Sequence, residues 1–248
     1  MALVVVGLLA AAGRAPAQET PPDLLALPKI PGLEAAQTGQ EMTNTVRILL
    51  LLTVLSLAPS ILIMTTCFTR IIIVLALLRQ ALATQQLPPN QIMVGLALFL
   101  TFMIMTPVWQ EVNTVALEPM MAGKITAREA YDRGIRPVRQ FMLKHVRRSD
   151  LAVFMQVSKV SRDVPLSEVP TTVVVPAFVI SELKTAFIMG FMLYLPFLII
   201  DMVVSSVLIS MGMLMLPPIL ISLPFKLLLF VLADGWNLVV KAIVESFA

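Results

Sequence analysis

The chain has 248 residues, of which 58% are hydrophobic and 13% charged, with a formal net charge of +3 and a mean hydropathy of +0.91. Soluble domains hold about 45–50% apolar residues, so a soluble globular enzyme is excluded and an all-α, multi-span membrane protein is the class that remains. One cysteine, Cys67, excludes an internal disulfide, and the small net charge is not gathered into an arm that would bind nucleic acid.

Residues 1–17 read as a signal peptide. The apolar stretch Ala2 to Ala12 is too short to span a bilayer, and Ala15-Pro16-Ala17 forms an A-x-A cleavage pattern before Gln18. No Lys or Arg precedes that stretch, so a short uncleaved anchor is the competing reading. Residues 18–43 carry Pro21, Pro22, Pro28 and Pro31 with four acids against one base, the composition of a flexible, extended leader.

Residues 44–110 hold two hydrophobic helices and a short loop. Ile48 to Thr69 lacks formal charge and is long enough to span, with a kink expected at Pro59. Arg70 interrupts, and Ile71 to Leu78 continues apolar up to Arg79. Gln80 to Gln91 is polar, Pro88-Pro89-Asn90 opens the next helix, and Ile92 to Trp109 is a second span ending on an interfacial tryptophan. Arg70 and Arg79, with no acids nearby, favour a cytoplasmic short loop.

Residues 111–184 contain eleven Lys or Arg and eight Asp or Glu, and read as a water-exposed, mainly helical domain. Placing it in the periplasm conflicts with a naive positive-inside count, but that rule weakens for loops longer than about 60 residues. Thr126 with Glu129 forms a capping box. Ser149 or Asp150 is the expected cap of a further helix presenting Leu151, Phe154, Met155 and Ser158 on one face, and Pro165, Pro170 and Pro176 are expected to keep the following link extended. His145, flanked by Lys144, Arg147 and Arg148, reads as a solvated helix residue.

Residues 185–248 form a hydrophobic helical hairpin interrupted only by Asp201 and Lys226, with 24 uncharged residues between them. Each lies about twelve residues from the turn, hence ~18 Å from the tip at 1.5 Å per residue. They either meet at one depth or snorkel separately to an interface; the cost of an unpaired charge in a span favours the pair. The turn reads Met211-Gly212-Met213-Leu214-Met215-Leu216-Pro217-Pro218, and a hairpin tip without charge must pack on protein or line a closed passage. Trp236 closes the hairpin and a short tail follows. No catalytic, cofactor or metal motif appears, so the chain is read as a transporter, a channel component or a scaffold, and not as an enzyme.

Several long motifs now resemble one family. Pro176 to Phe191, including Phe178, Glu182, Lys184, Phe187 and Gly190, then Pro196 to Asp201 and the Met-rich tip, are similar to the signature of the FliP family. So are Phe68 to Leu75, Thr84 to Gln91 and Gly95 to Phe102, and the resemblance runs from Thr45 to Glu245. Ile188 departs from the pattern, since the family usually carries a polar or charged side chain there. The resemblance implies a pore-forming core subunit of the flagellar type III protein export gate in the bacterial inner membrane, at the flagellar basal body. It implies a homo-oligomer, a pentamer, assembled with FliR and FliQ alongside FlhB and FlhA, that passes unfolded flagellar proteins and contacts membrane lipid. It further implies kinked hairpins that rise out of the membrane plane. The signal peptide favours the flagellar over the injectisome branch. A pore gasket of Met211, Met213 and Met215, a hairpin turn of Gly212, Pro217 and Pro218, and the Asp201–Lys226 pair are the expected functional features. The alternatives are a secondary transporter, which would need a substrate site at broken helices and usually an internal repeat, and an assembly scaffold without a pore.

Overall fold

The structure is a computed structural model that describes residues 39–84, 87–161, 164–213 and 215–247. The expected signal peptide and most of the leader lie outside these residues. Among the described residues every regular element is a helix, which satisfies the backbone within each segment where lipid offers it no partner. The chain divides into two units, with the boundary between Ser56 and Leu57. Of the first unit the described part is the N-terminal portion of α1 (Gly39–Thr65), in which Leu49, Leu51, Leu52 and Leu55 are exposed.

The second unit takes up α1 with Pro59 inside it. A break at Thr66 and Cys67 leads into α2 (Phe68–Ala81), so the apolar run that straddles Arg70 is a broken helix. Then come α3 (Asn90–Val112), a π-turn at Asn113–Leu117 and α4 (Glu118–Met121), which together make one continuous helix of 32 residues. The charged segment folds as α5 (Ala127–His145) and α6 (Arg148–Val157). A 40-residue α7 (Thr171–Ser210), α8 (Pro218–Leu232) and α9 (Gly235–Glu245) complete the chain. Among the described residues two helices, Asn90–Met121 and Thr171–Ser210, are long and apolar enough to cross a membrane, and up to four spans result if each of two bent pairs counts as one.

The core sits where α2 lies along α7. Ile71, Val74, Leu75 and Leu78 from α2 and Val173, Val174, Ala177 and Phe178 from α7 are buried. Gly190 permits this approach, because a Cβ there would overlap the side chain of Leu77. α5 is amphipathic, turning Ala130, Phe141 and Met142 inward, and Arg139 ties it to the chain ahead of α7 by donating to the carbonyls of Ser167 (3.0 Å) and Val169 (2.6 Å).

Thr126 caps α5, its hydroxyl accepting from the Glu129 amide at 3.3 Å. Four local expectations are corrected. α6 begins at Arg148, ahead of the expected cap: Asp150 sits in its first turn and accepts a hydrogen bond from Ser181 of α7 at 2.8 Å, so its carboxylate is spent on tertiary contact. Leu151 and Met155 are buried on that helix, but Ser158 is exposed beyond its end. Pro176 lies inside α7 instead of in an extended link; its chain neighbours Val173, Val174, Ala177 and Phe178 are buried in the core, and their burial outweighs the hydrogen bond its ring removes. The expected short tail is α9, bent 65° from α8, with Val239 and Ile243 buried.

Candidate functional site

α7 and α8 form the hairpin, and α7 ends in a Schellman turn. The Met213 amide donates to Leu208 O and the Gly212 amide to Ile209 O, both at 3.0 Å, which satisfies two carbonyls that the helix end would orphan. The motif requires a left-handed residue, and Gly212 supplies it with φ +75°. Pro217 precedes α8 and Pro218 opens it, where its fixed φ fits the first helical position. At the tip Met211, Met213 and Met215 are 67%, 40% and 97% exposed. Three thioethers thus stand outward at an uncharged turn.

Deeper in the hairpin Lys226 Nζ lies 2.6 Å from Asp201 Oδ2. Asp201 Oδ1 accepts from Ser222 Oγ at 2.6 Å. The ammonium also donates to Ala81 O at 3.1 Å, one of the carbonyls left free where α2 ends, at the negative pole of that helix. Lys226 is buried while the Asp201 side chain is about a quarter exposed (26%). The carboxylate opens onto a cavity of about 610 Å³ shared with Arg79, Thr84 and Tyr194. The pair is therefore closed on the lysine side and open to the cavity on the aspartate side, so its charges are matched to each other within an apolar helix pair.

A second buried pair joins α2 to α7. Arg70 Nε donates to Glu182 Oε2 at 2.8 Å while a terminal nitrogen reaches Oε1, a bidentate fork. The same guanidinium donates to the Ser246 carbonyl (3.0 Å) and hydroxyl (2.9 Å) and lies 3.7 Å from the centre of the Phe247 ring. Arg70 is thus a buried staple for the C-terminus, where its place between two apolar runs reads only as an interruption. His145 is corrected as well. Its ring is half-buried against Phe141 (4.5 Å between centroids) and Phe247 (5.3 Å) because the C-terminal phenylalanine folds over the last turn of α5.

The signature residues divide between two faces of α7. Phe178, Glu182 and Gly190 face the core, Pro176 is half-buried, and Lys184 and Phe187 are exposed beside Ile188. Ile188 with Ile180, Lys184, Phe187 and Phe191 lines a shallow outward groove.

A sequence profile described as the FliP family matches residues 51–243. The chain belongs to the FliP family. It is similar to the flagellar biosynthetic protein FliP of Bacillus subtilis, at 59% identity over 84% of this chain and 94% of that protein. It is 50% identical to that of Aquifex aeolicus over 88% and 92% of the two chains, and 53% identical to that of Caulobacter vibrioides over 85% and 79%. As a FliP-family protein it is a membrane component of the flagellar export apparatus and not an enzyme.

Sequence reading alone missed the FliP-family chain's Arg70–Glu182 fork and the docking of Ser246 and Phe247. A signal for the fork exists, since each residue interrupts an apolar helix and needs a counter-ion, but 112 positions separate them. Nothing in the local pattern around Phe247 points to Arg70.

Proposed function

We propose that this chain is a pore-forming core subunit of the flagellar type III protein export gate, passing unfolded flagellar proteins across the inner membrane. The observation that carries the reading is the tip between α7 and α8: three exposed methionines at a turn without charge, held by a Schellman motif and bounded by two prolines. An apolar, exposed tip in a membrane protein calls for like neighbours. When several copies surround one axis, their Met211, Met213 and Met215 converge into a ring of unbranched, yielding thioethers. Such a constriction excludes water and ions when empty and makes no demand on the sequence of the chain that passes.

In this reading the subunit is one of a pentamer assembled with FliR and FliQ, next to FlhB and FlhA. Segment 111–184 faces the periplasm, and residues 1–17 are removed as a signal peptide before Gln18. Asp201 and Lys226 fix the depth of α8 against α7 and α2, so that the tip is presented at one level in each copy. The outward groove around Phe187 and Ile188 meets a neighbouring copy, for which an apolar Ile188 is a suitable partner.

Cysteine placed at Met213 tests this directly, in a Cys67→Ala background and in native membranes. With an export substrate stalled in transit, Met213→Cys is expected to cross-link both to a second copy of the subunit and to the stalled chain. Cross-linking to neither, with a monomeric complex that moves a small solute, would establish the transporter reading instead.

A further inference from the structure

Beside the polar cavity lies a second, more enclosed one of about 320 Å³. Leu75, Leu78 and Leu82 of α2 and its C-terminal end form one wall, and Met93 and Leu96 of α3 form the other. Pro88, Ile92, Arg79 and Trp236 complete the lining. Its size is at the lower end of cavities that hold small ligands, about 300–1,000 Å³, and cavities with such walls stay dry and take apolar guests. Arg79 lines this slot and the adjoining cavity alike, where Gln80 and Thr84 stand with it. Its terminal nitrogen donates to Asn90 Oδ1, but among the four ion pairs of the described residues none involves Arg79. The other buried or half-buried cations of this region are neutralised, Arg70 by Glu182 and Lys226 by Asp201. Arg79 therefore presents an uncompensated guanidinium at the mouth of an apolar slot, with an indole beside it.

We infer that this slot binds one acyl chain of an anionic glycerophospholipid whose phosphate is held by Arg79. The carbon-lined wall takes the chain and the guanidinium takes the phosphate in its bidentate fork. Gln80 and Thr84 reach the glycerol and headgroup oxygens in the adjoining cavity, and Trp236 occupies the interfacial level at which indoles settle. The carboxylate in that cavity does not oppose a phosphate strongly, because Asp201 is already matched by Lys226 and Ser222. The bound lipid would wedge α2 against α3 beside the carbonyl that Lys226 uses, Ala81 O. The inference rests on residence in a membrane and not on the gating reading, so either stands without the other.

The test uses the full-length protein in its assembled complex, in phosphatidylcholine nanodiscs doped with a phosphatidylglycerol that carries a diazirine in one acyl chain. After irradiation, labelled peptides are mapped by mass spectrometry. Label is expected at Leu78, Met93 and Leu96, about fivefold above that left by a phosphatidylcholine bearing the same diazirine, the preference that one basic side chain gives toward an anionic lipid. Arg79→Gln should abolish this preference, Arg79→Lys should retain it, and Leu96→Trp should remove label from the slot while sparing the outer face of α3 at Phe99 and Phe102. The comparison of the two lipids on the unaltered protein stands even where a variant fails to assemble. Label confined to the outer face, or slot labelling equal for the two lipids, would overturn the proposal. So would a slot closed to lipid because another protein chain fills it.

Discussion

His145 is the one histidine of the chain, and its chemistry is set by what covers it. Nδ1 lies 2.8 Å from the Phe141 carbonyl, which only accepts, so the proton belongs on Nδ1; Nε2 is buried without a partner among the described residues. Burial pushes the imidazole below the ordinary histidine range, and the nearby Arg70 guanidinium pushes the same way, against the Phe141 carbonyl. A histidine depressed in the folded state binds its proton more readily when unfolded, so stability rises with pH across this interval. The contribution is complete above the unfolded pKa, about 6.5, and is lost as pH falls from there toward the folded value. Thermal unfolding of the solubilised complex should therefore drop in temperature as pH falls below about 6.5, and His145→Phe should flatten that segment. An unchanged slope would place the proton uptake elsewhere. At this scale the sequence was legible where one element fixes the geometry. Asp201 and Lys226 share a hairpin whose turn sets both depths, and they stand 2.6 Å apart. Arg70 and Glu182 lie on different elements, so no spacing pairs them, and the burial of His145 depends on Phe247, about a hundred residues later in the chain.

Two features of the helices bear on the site. The approach of α2 to α7 depends on Gly190, where a Cβ would overlap Leu77. Gly190→Ala should therefore destabilise by about 1–3 kcal/mol, the usual cost of overpacking, and Leu77→Ala should restore part of the loss. Additive losses in the double variant, measured as unfolding of the solubilised protein, would remove the close contact as the cause. The hairpin depends on its buried charges. Asp201→Ala leaves Lys226 buried and uncompensated, and Lys226→Ala strands Asp201 between Ser222 and the cavity; breaking a buried pair costs about 3–5 kcal/mol. Each should reduce the yield of assembled complex and of exported protein. Exchanging the two side chains should recover part of that yield, and a double-mutant cycle without coupling would contradict direct contact. Helix existence was readable from the apolar runs, the cap at Thr126 from its residue type, and the start of α3 from Pro88-Pro89-Asn90. Helix ends were less so, because tertiary burial decided them: Pro176 is carried within α7 by packed neighbours, and Asp150 is drawn to Ser181 instead of capping α6.

In the whole molecule, apolar side chains face outward along α3 and α7, among them Phe99, Phe102, Phe191 and Met202. Composition predicts such a surface, since lipid or protein must cover it, and the family motifs give the context in which it is covered. What a single sequence leaves unread is assembly, because the residues that meet across copies carry no partner within their own chain. The methionine tip is the extreme case. Its turn geometry is explained by Gly212 and the prolines that follow, while Met211, Met213 and Met215 stand exposed on the described chain, as the proposed ring of several copies requires. If they form a seal, their size and flexibility hold back ions, and alanine at all three positions opens a gap without disturbing the Schellman turn or the charge pair beneath it. The decisive measurement is ion conductance across membranes that hold equal amounts of assembled complex, with and without Met211→Ala, Met213→Ala and Met215→Ala combined. The gasket predicts an assembled triple variant that leaks ions and slows growth in salt. An assembled, export-competent triple variant with an unchanged ion barrier would contradict it.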